Sequence, residues 1–358
     1  IDGKKFNTRK IKNADSMFAE MPNFRVFIFG DDWNFDNLES ANYMFGFQNR
    51  PNSLPTRFIG TMVDAMGTLP KIKSLNGFFK NQVNIQYLGW RDNEPPTFEN
   101  VTDMTEMYYG VNAVERDILS HTFSKANTIN LTKINGMLGC DGSVGSQWYT
   151  IDGSDNTTKV VQDVLEIVAN ALNTDKVTSA VGFLQNQENL KEFDVSLNLT
   201  NATDLSFFFD NCISLEKVNF SHGFNASELN NADGMFQDCK GFNGPKIDFS
   251  FLRYWNTSKL VSTRQMFKRA RFDINYMNSE DTISFWDVRN LKYVQEMFAS
   301  SVFFNDKLNF WCTNSIEDHT DFSTSSNLQD SHLPVWDAEE NISCSSDFIY
   351  IDTGSAWN

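Results

Sequence analysis

Nine Asn-X-Ser/Thr triplets carry the most recognisable chemistry in this 358-residue chain: those beginning at Asn100, Asn130, Asn156, Asn198, Asn201, Asn219, Asn225, Asn256 and Asn341. An Asn amide in that context accepts an N-linked glycan, which requires a secretory route and an exposed side chain. The five cysteines form a second set. Cys212 and Cys239 each stand four residues past the start of a Phe-Phe or Met-Phe pair. They read either as a disulfide or as two rungs of a buried thiol ladder. Cys312 and Cys344 flank the last segments, where a disulfide would staple a fraying end. Cys140 is left over, expected to be buried, and no Cys/His spacing points to zinc.

Catalytic chemistry finds little to stand on. His121, His222, His319 and His332 fall in no nucleophile or metal motif. With 46 acidic residues, neighbours such as Asp31 and Asp32 arise by chance. Asp152-Gly153-Ser154-Asp155-Asn156 resembles the start of a calcium loop and lacks the remaining ligand positions. Gly142, Gly145 and Gly153 make no phosphate cradle. The expectation is a non-enzymatic protein with no metal and no cofactor, carrying N-linked glycans. A net charge of -16 and an isoelectric point near 4.7 repel phosphate backbones, which excludes nucleic acid and serves solubility. At 41% hydrophobic and 14% aromatic residues the chain is too apolar for disorder. No apolar run approaches a membrane span. The chain opens at Ile1 without Met, which reads as a processed or truncated product.

What must position these residues is a repeat. Trp286-Asp287 is followed by apolar residues at positions 5, 8, 11 and 12, counting Trp286 as position 0: Leu291, Val294, Met297 and Phe298. The pattern recurs from Phe6, Trp33, Phe224 and Trp255, and more loosely from Gly67, Pro96, Ala126, Leu172, Leu197, Trp311 and Trp336. Successive leads are 25 to 34 residues apart, except for 46 between Ala126 and Leu172. Units of that length cannot bury an apolar face alone and must stack. Positions 5, 8, 11 and 12 follow helical spacing, so each unit should begin with a short helix or a pair of 3₁₀ turns. Alternating stretches such as Leu215 to Phe220, marked in other units by Phe24, Ile85, Val114, Leu190, Phe242 or Phe304, should form its strand. The fold class is thus α/β: a leucine-rich-repeat-like solenoid of about twelve helix-strand units with a parallel sheet. Residues 157–172 read as an inserted amphipathic helix capped by Asp155 or Asn156. The insertion divides the chain into an N-terminal array (1–140), a loop and helix (141–171) and a C-terminal array with a tail (172–358), in one continuous solenoid.

The repeat orders the triplets. Asn198, Asn225 and Asn256 all fall at position 1 of consecutive units, so stacking would line them up about 5 Å apart on one edge. Asn7, Asn34, Asn127, Asn173, Asp287 and Asp337 share that position, consistent with an Asx cap of the following turn.

Residues 286–298, with Phe303-Phe304-Asn305 and the next Trp311, resemble the BspA-type leucine-rich repeats of surface proteins, and most of all the Trp-Asp…Met-Phe repeats of mycoplasma-type surface lipoproteins. The likeness is strongest over residues 224–322 and weakest over 51–140. It implies an extracellular solenoid used in adhesion or surface architecture and no catalytic residues.

The array runs nearly flush to both ends, and the tail from Asp347 to Asp352 alternates aromatic and apolar residues between its two Asp. Phe348, Ile349, Tyr350 and Ile351 could therefore pair with a sheet edge. The sequence thus supports either a subunit of an extracellular fibre or coat joining copies head to tail, or an adhesin or receptor-like ectodomain holding a protein or glycan partner.

Overall fold

The computed structural model describes residues 8–21, 26–29, 33–48, 61–82, 85–111, 116–142, 157–239, 247–272 and 283–336. One residue of each described unit, always at position 7, makes a parallel bridge to its counterpart in the next. The ladder runs Asn13, Ser40, Ser74, Asp103, Lys133, Ser179, Asp204, Asn231, Ser262, Tyr293 and Asp318.

Beside this ladder, the segment with helical spacing is not a helix. The residue at position 10 has positive φ in every described unit, as at Ser16 (56°), Gly77 (60°), Phe207 (56°) and Glu296 (52°). An α-helix cannot pass through that conformation, which costs a non-glycine residue about 1–2 kcal/mol. The chain instead makes consecutive turns: Met235 N donates to Ala232 O at 3.2 Å and Gln237 N to Gly234 O at 3.0 Å. The alternate amides point out of the unit. Ala232, Gly234, Phe236 and Asp238 N donate at 2.8–2.9 Å to Ser262, Arg264, Met266 and Lys268 O of the next unit. Apolar residues at positions 5, 8, 11 and 12 still face inward, because the turns reproduce the helical period. Met44, Phe45, Met235, Phe236, Met297 and Phe298 are all fully buried.

Stacked in register, the position-12 rings form a column. Phe209, Phe236, Phe267 and Phe298 lie 5.4–5.8 Å apart at 2–19° between planes. Phe18, Phe45, Phe79 and Tyr108 form another at 5.6–5.8 Å. Each ring contributes about 1.5–3 kcal/mol by burial, and each ring pair about 0.5–1.5 kcal/mol more. Leu138 and Leu184 interrupt the column between the two runs.

The opposite flank carries the strands, in two patches. Strands β1 (Val26–Ile28), β2 (Thr61–Met66) and β3 (Ile85–Trp90) form one parallel sheet in that order; β4 (Glu192–Val195) and β5 (Lys217–Phe220) pair in parallel in another. Between them the flank is helical: α1 (Arg116–Thr122) touches β3 and α2, and α2 (Thr157–Ala171) touches β4. The expected strand near Val114 is thus followed by a helix; Val114, Phe24 and Phe242 themselves lie outside the described residues. Helix α2 buries Val161, Val164, Leu165, Val168 and Ala169, the stripe that makes it amphipathic. Among the described residues beyond β5 only single bridges remain on this flank, at Ile247–Phe272 and Arg271–Val302.

A polar pattern that the apolar template does not contain joins neighbours at the turn column. Except where position 7 is Lys133 or Tyr293, the amide N–H at position 9 of the described units is capped in one of two ways. Where position 7 of the same unit is Asx, its side chain caps the amide, as Asp103 does Thr105 N at 2.8 Å and Asn231 does Asp233 N at 3.0 Å. Where position 7 is Ser, an Asx at position 9 of the preceding unit accepts both the Ser hydroxyl and the amide. Asn42 Oδ1 takes Ser74 Oγ at 2.6 Å and Asn76 N at 2.9 Å. Asp15, Asn135 and Asp233 act likewise on Ser40, Ser179 and Ser262. Asn76 is the exception: it precedes Asp103 rather than a Ser, and its buried Oδ1 has no partner among the described residues.

Candidate functional site

The triplets split into classes by what their amides already hold. Asn100, Asn130 and Asn201 stand at position 4, where Nδ2 donates to the position-3 carbonyl of the preceding unit: Pro70 O at 2.9 Å, Glu99 O at 3.0 Å and Asp175 O at 2.6 Å. Asn37 and Asn290, which belong to no triplet, do the same. The Thr two residues on also reaches back, Thr102 Oγ1 to Lys73 O at 3.3 Å, Thr132 to Thr102 O at 2.9 Å and Thr203 to Thr178 O at 3.1 Å. Asn-X-Thr at this place is therefore a two-bond clasp between units.

At position 1 the Asx side chain caps the amide two residues on: Asn198 Oδ1 accepts Thr200 N at 3.0 Å, Asn225 accepts Ser227 N at 3.2 Å and Asn256 accepts Ser258 N at 3.1 Å. Asn34, Asn173 and Asp287 make the same turn. Asn256 N also donates to Asn225 O at 2.6 Å, so these residues are direct neighbours on one edge. Nδ2 of Asn198 is held by Asp175 and that of Asn219 by Asp194, at 2.6 and 2.8 Å. Asn225 is exposed and Asn256 half-buried, and neither Nδ2 has a partner among the described residues. Asn156 and Asn341 lie outside the described residues, as do Asp152 and Asp155.

Cys212 and Cys239 are both free and buried, so the disulfide considered for them is not formed. Their place, position 15, explains why. Each Sγ donates to the position-12 carbonyl of the preceding unit, Leu184 O at 3.2 Å and Phe209 O at 3.1 Å. Gln187 Nε2 makes the same bond to Leu138 O at 2.6 Å, and Gln82 makes it to Phe45 O. Burial pushes both thiols well above their ordinary pKa. Cys140 is likewise free and buried. Cys312 is disulfide-bonded, and Cys344 lies outside the described residues together with Phe348, Ile349, Tyr350 and Ile351.

The histidines do not converge. His222 Nε2 lies 3.0 Å from Ser196 Oγ, His332 Nδ1 contacts Asn305, and His319 stacks on Trp336. Among the described residues no group of His, Cys, Asp or Glu could hold a metal, and no helix is long and apolar enough to cross a membrane.

Two surface features were not legible in the repeat template. The residue before each lead forms an exposed apolar column in the last units: Tyr254, Phe285, Phe310 and Val335 are 52%, 71%, 48% and 51% exposed. On the turn column, Gly136 and Gly182 at position 10 leave a recess of about 220 Å³ between the side chains of Glu106 and Phe207. Glu106 Oε2 is held by Lys80 at 2.7 Å and by the Tyr43 hydroxyl at 3.0 Å. Burial, then the nearby Glu106 charge, pushes the Tyr43 phenol up to about 12. Farther along, Lys12 and Lys73 flank Glu39 at 3.0 and 2.6 Å; hydrogen bonding to Lys73, then Lys12, holds the carboxyl at about 2.

The sequence matches four times, over residues 1–58, 73–166, 154–275 and 247–352, a family model described as Mycoplasma protein of unknown function, DUF285. No curated protein and no solved structure shows a match. Those segments span most of the chain, and the chain belongs to this mycoplasma-type repeat family.

Proposed function

We propose that this chain is a leucine-rich-repeat-like solenoid of the BspA type, acting as a secreted, N-glycosylated, non-enzymatic subunit of an extracellular fibre or surface coat that joins copies head to tail. The polarity of the bonds between units carries this reading. On the turn column the amides at positions 8, 10, 12 and 14 of each unit donate to carbonyls of the next, while the position-6 amide donates back to the unit before, so this column presents four carbonyls at one end of a stack and four amides at the other. In the first described unit the carbonyls of Asn13, Asp15, Met17 and Ala19 receive no such bond among the described residues; in the last, the amides of His319, Asp321, Ser323 and Ser325 make none. Complementary faces at the two ends of the described stack favour a heterologous contact, which propagates into a filament. Trp336 stacks on His319 and packs against Phe322 at the donor end, so a docking copy must sit beside that ring or displace it. Electron microscopy of the purified native protein tests the reading. Filaments with an axial repeat near one subunit length support it, and a protein that stays monodisperse at high concentration refutes it.

Asn225 and Asn256 are the sites proposed to carry glycan first, because their amides hold nothing that a sugar would displace. Peptide mass spectrometry of secreted material should find both occupied ahead of Asn100, Asn130 and Asn201; both bare would remove the glycosylated reading. The exposed column from Tyr254 to Val335 favours a second reading, an adhesin-like module with a partner on this edge.

A further inference from the structure

We propose that the recess over Gly136 and Gly182 binds one neutral pyranose ring, stacked on Tyr109. The recess exists because two consecutive units place glycine at position 10, where the flanking units carry Glu106 and Phe207, so backbone forms the floor. A Cβ built at Gly136 would lie 3.3–3.8 Å from the Tyr109 ring, which places that ring as a wall beside the floor. Lys80 sits 5.0 Å from the centroid of the same ring and neutralises one oxygen of Glu106.

The polar atoms around the recess are those a polyol needs. Thr105 Oγ1, Glu106 Oε1, Asn135 Nδ2, Gln185 Oε1 and the Tyr109 hydroxyl have no partner among the described residues, although the side chains of Glu106, Asn135 and Gln185 are otherwise fixed. Asn135 Oδ1 holds Ser179 and Val181 at 2.7 and 2.9 Å, and Gln185 Nε2 holds Asp210 at 2.8 Å. Two hydroxyls, one amide donor and two acceptors suit a ligand that both gives and takes hydrogen bonds. The C–H face of a pyranose matches an aromatic wall, and a volume of about 220 Å³ holds one such ring. Glu106 Oε1 is an acceptor only, so it can meet a sugar hydroxyl but not a sugar carboxylate, which has no proton to give. This site does not depend on assembly into fibres, since all its residues lie within one chain.

Saturation-transfer NMR with the methyl glycosides of glucose, galactose, mannose and N-acetylglucosamine, and with glucuronic acid, tests the proposal on the full chain. At least one neutral glycoside should bind; Tyr109→Ala should weaken it about tenfold, and Tyr254→Ala, outside the recess, should leave it unchanged. If Tyr109→Ala fails to fold by circular dichroism, Gln185→Leu replaces it, with the same direction expected. No transfer to any neutral glycoside, equal affinity in the variant that folds, or glucuronic acid binding at least as well as the neutral sugars overturns the proposal.

Discussion

The unsatisfied Asn76 predicts a substitution whose sign depends on its neighbour. Replacing Asp103 by Ser would give the position-7/position-9 arrangement that Asn42 makes with Ser74 and Asn76. The substitution loses one cap, from Asp103 Oδ1 to Thr105 N at 2.8 Å. It supplies two bonds to Asn76 Oδ1, from the new hydroxyl and from the Thr105 amide, and relieves a buried acceptor that has none. At about 1 kcal/mol net per hydrogen bond, Asp103→Ser should stabilise the protein by about 1 kcal/mol. In an Asn76→Ala background the same substitution leaves the Thr105 amide uncapped and should destabilise by about 1 kcal/mol. The coupling is therefore about 2 kcal/mol, large for two half-buried polar side chains. Urea denaturation of the four proteins, followed by circular dichroism, reads it as shifts in midpoint at constant slope. Equal effects of Asp103→Ser in both backgrounds would refute the account of how neighbouring units recognise each other's register.

Other expectations use the same read-out or simple chemistry. Phe236→Ala, in the middle of a stacked column, should cost about 3–5 kcal/mol, and Phe236→Leu clearly less, because Leu138 and Leu184 occupy the equivalent place. Gly234→Ala should cost about 3 kcal/mol, since φ is 59° there and a Cβ would lie 2.4 Å from the Phe207 ring; Phe207→Ala in that background should return the part due to the clash. Glu39 should titrate near 2 by NMR and move toward its ordinary 4.5 in Lys73→Gln. Its folded pKa lies below its unfolded one, so the stabilisation from these lysines is present above about 4.5 and is lost as pH falls through about 2. Alkylation and mass spectrometry should find Cys140, Cys212 and Cys239 labelled only after unfolding, and Cys312 only after reduction.

The unit boundaries were legible because leads and Met-Phe pairs are large, apolar and regularly spaced, and all of Trp255, Trp286 and Trp311 are buried. Secondary structure within the unit was not. Turns with a left-handed residue at position 10 put positions 8, 11 and 12 on one side as a helix would, and only the recurrent glycines at Gly77, Gly136, Gly182 and Gly234 hinted at the difference. The 15 residues of α2 were legible from their amphipathic stripe, whereas the seven of α1 were too few to show a period. Among candidate sites, the triplet chemistry was visible but its competing use was not. The clasp made by Asn100 and Thr102 joins residues about 30 positions apart, which only the pairing of neighbouring units reveals. Cys212 and Cys239 illustrate the same limit: their matching places were evident, while the carbonyl each faces was set by the unit before.

The bonds between units lie along the direction in which units succeed one another, four amides donating forward from each turn column and the position-6 amide donating back, and this decides how such a chain carries load. Tension in that direction strains the four amide bonds of a junction together, while successive junctions bear the force in series. The first to part should lie beside Leu138 and Leu184, where no stacked ring reinforces the bonds. Each parting frees a unit of 25–34 residues, or 46 for the unit led by Ala126, about 80–165 Å of extended chain, without severing the covalent thread. A tether built this way gives under pull in discrete lengths and dissipates work at each step instead of failing at once.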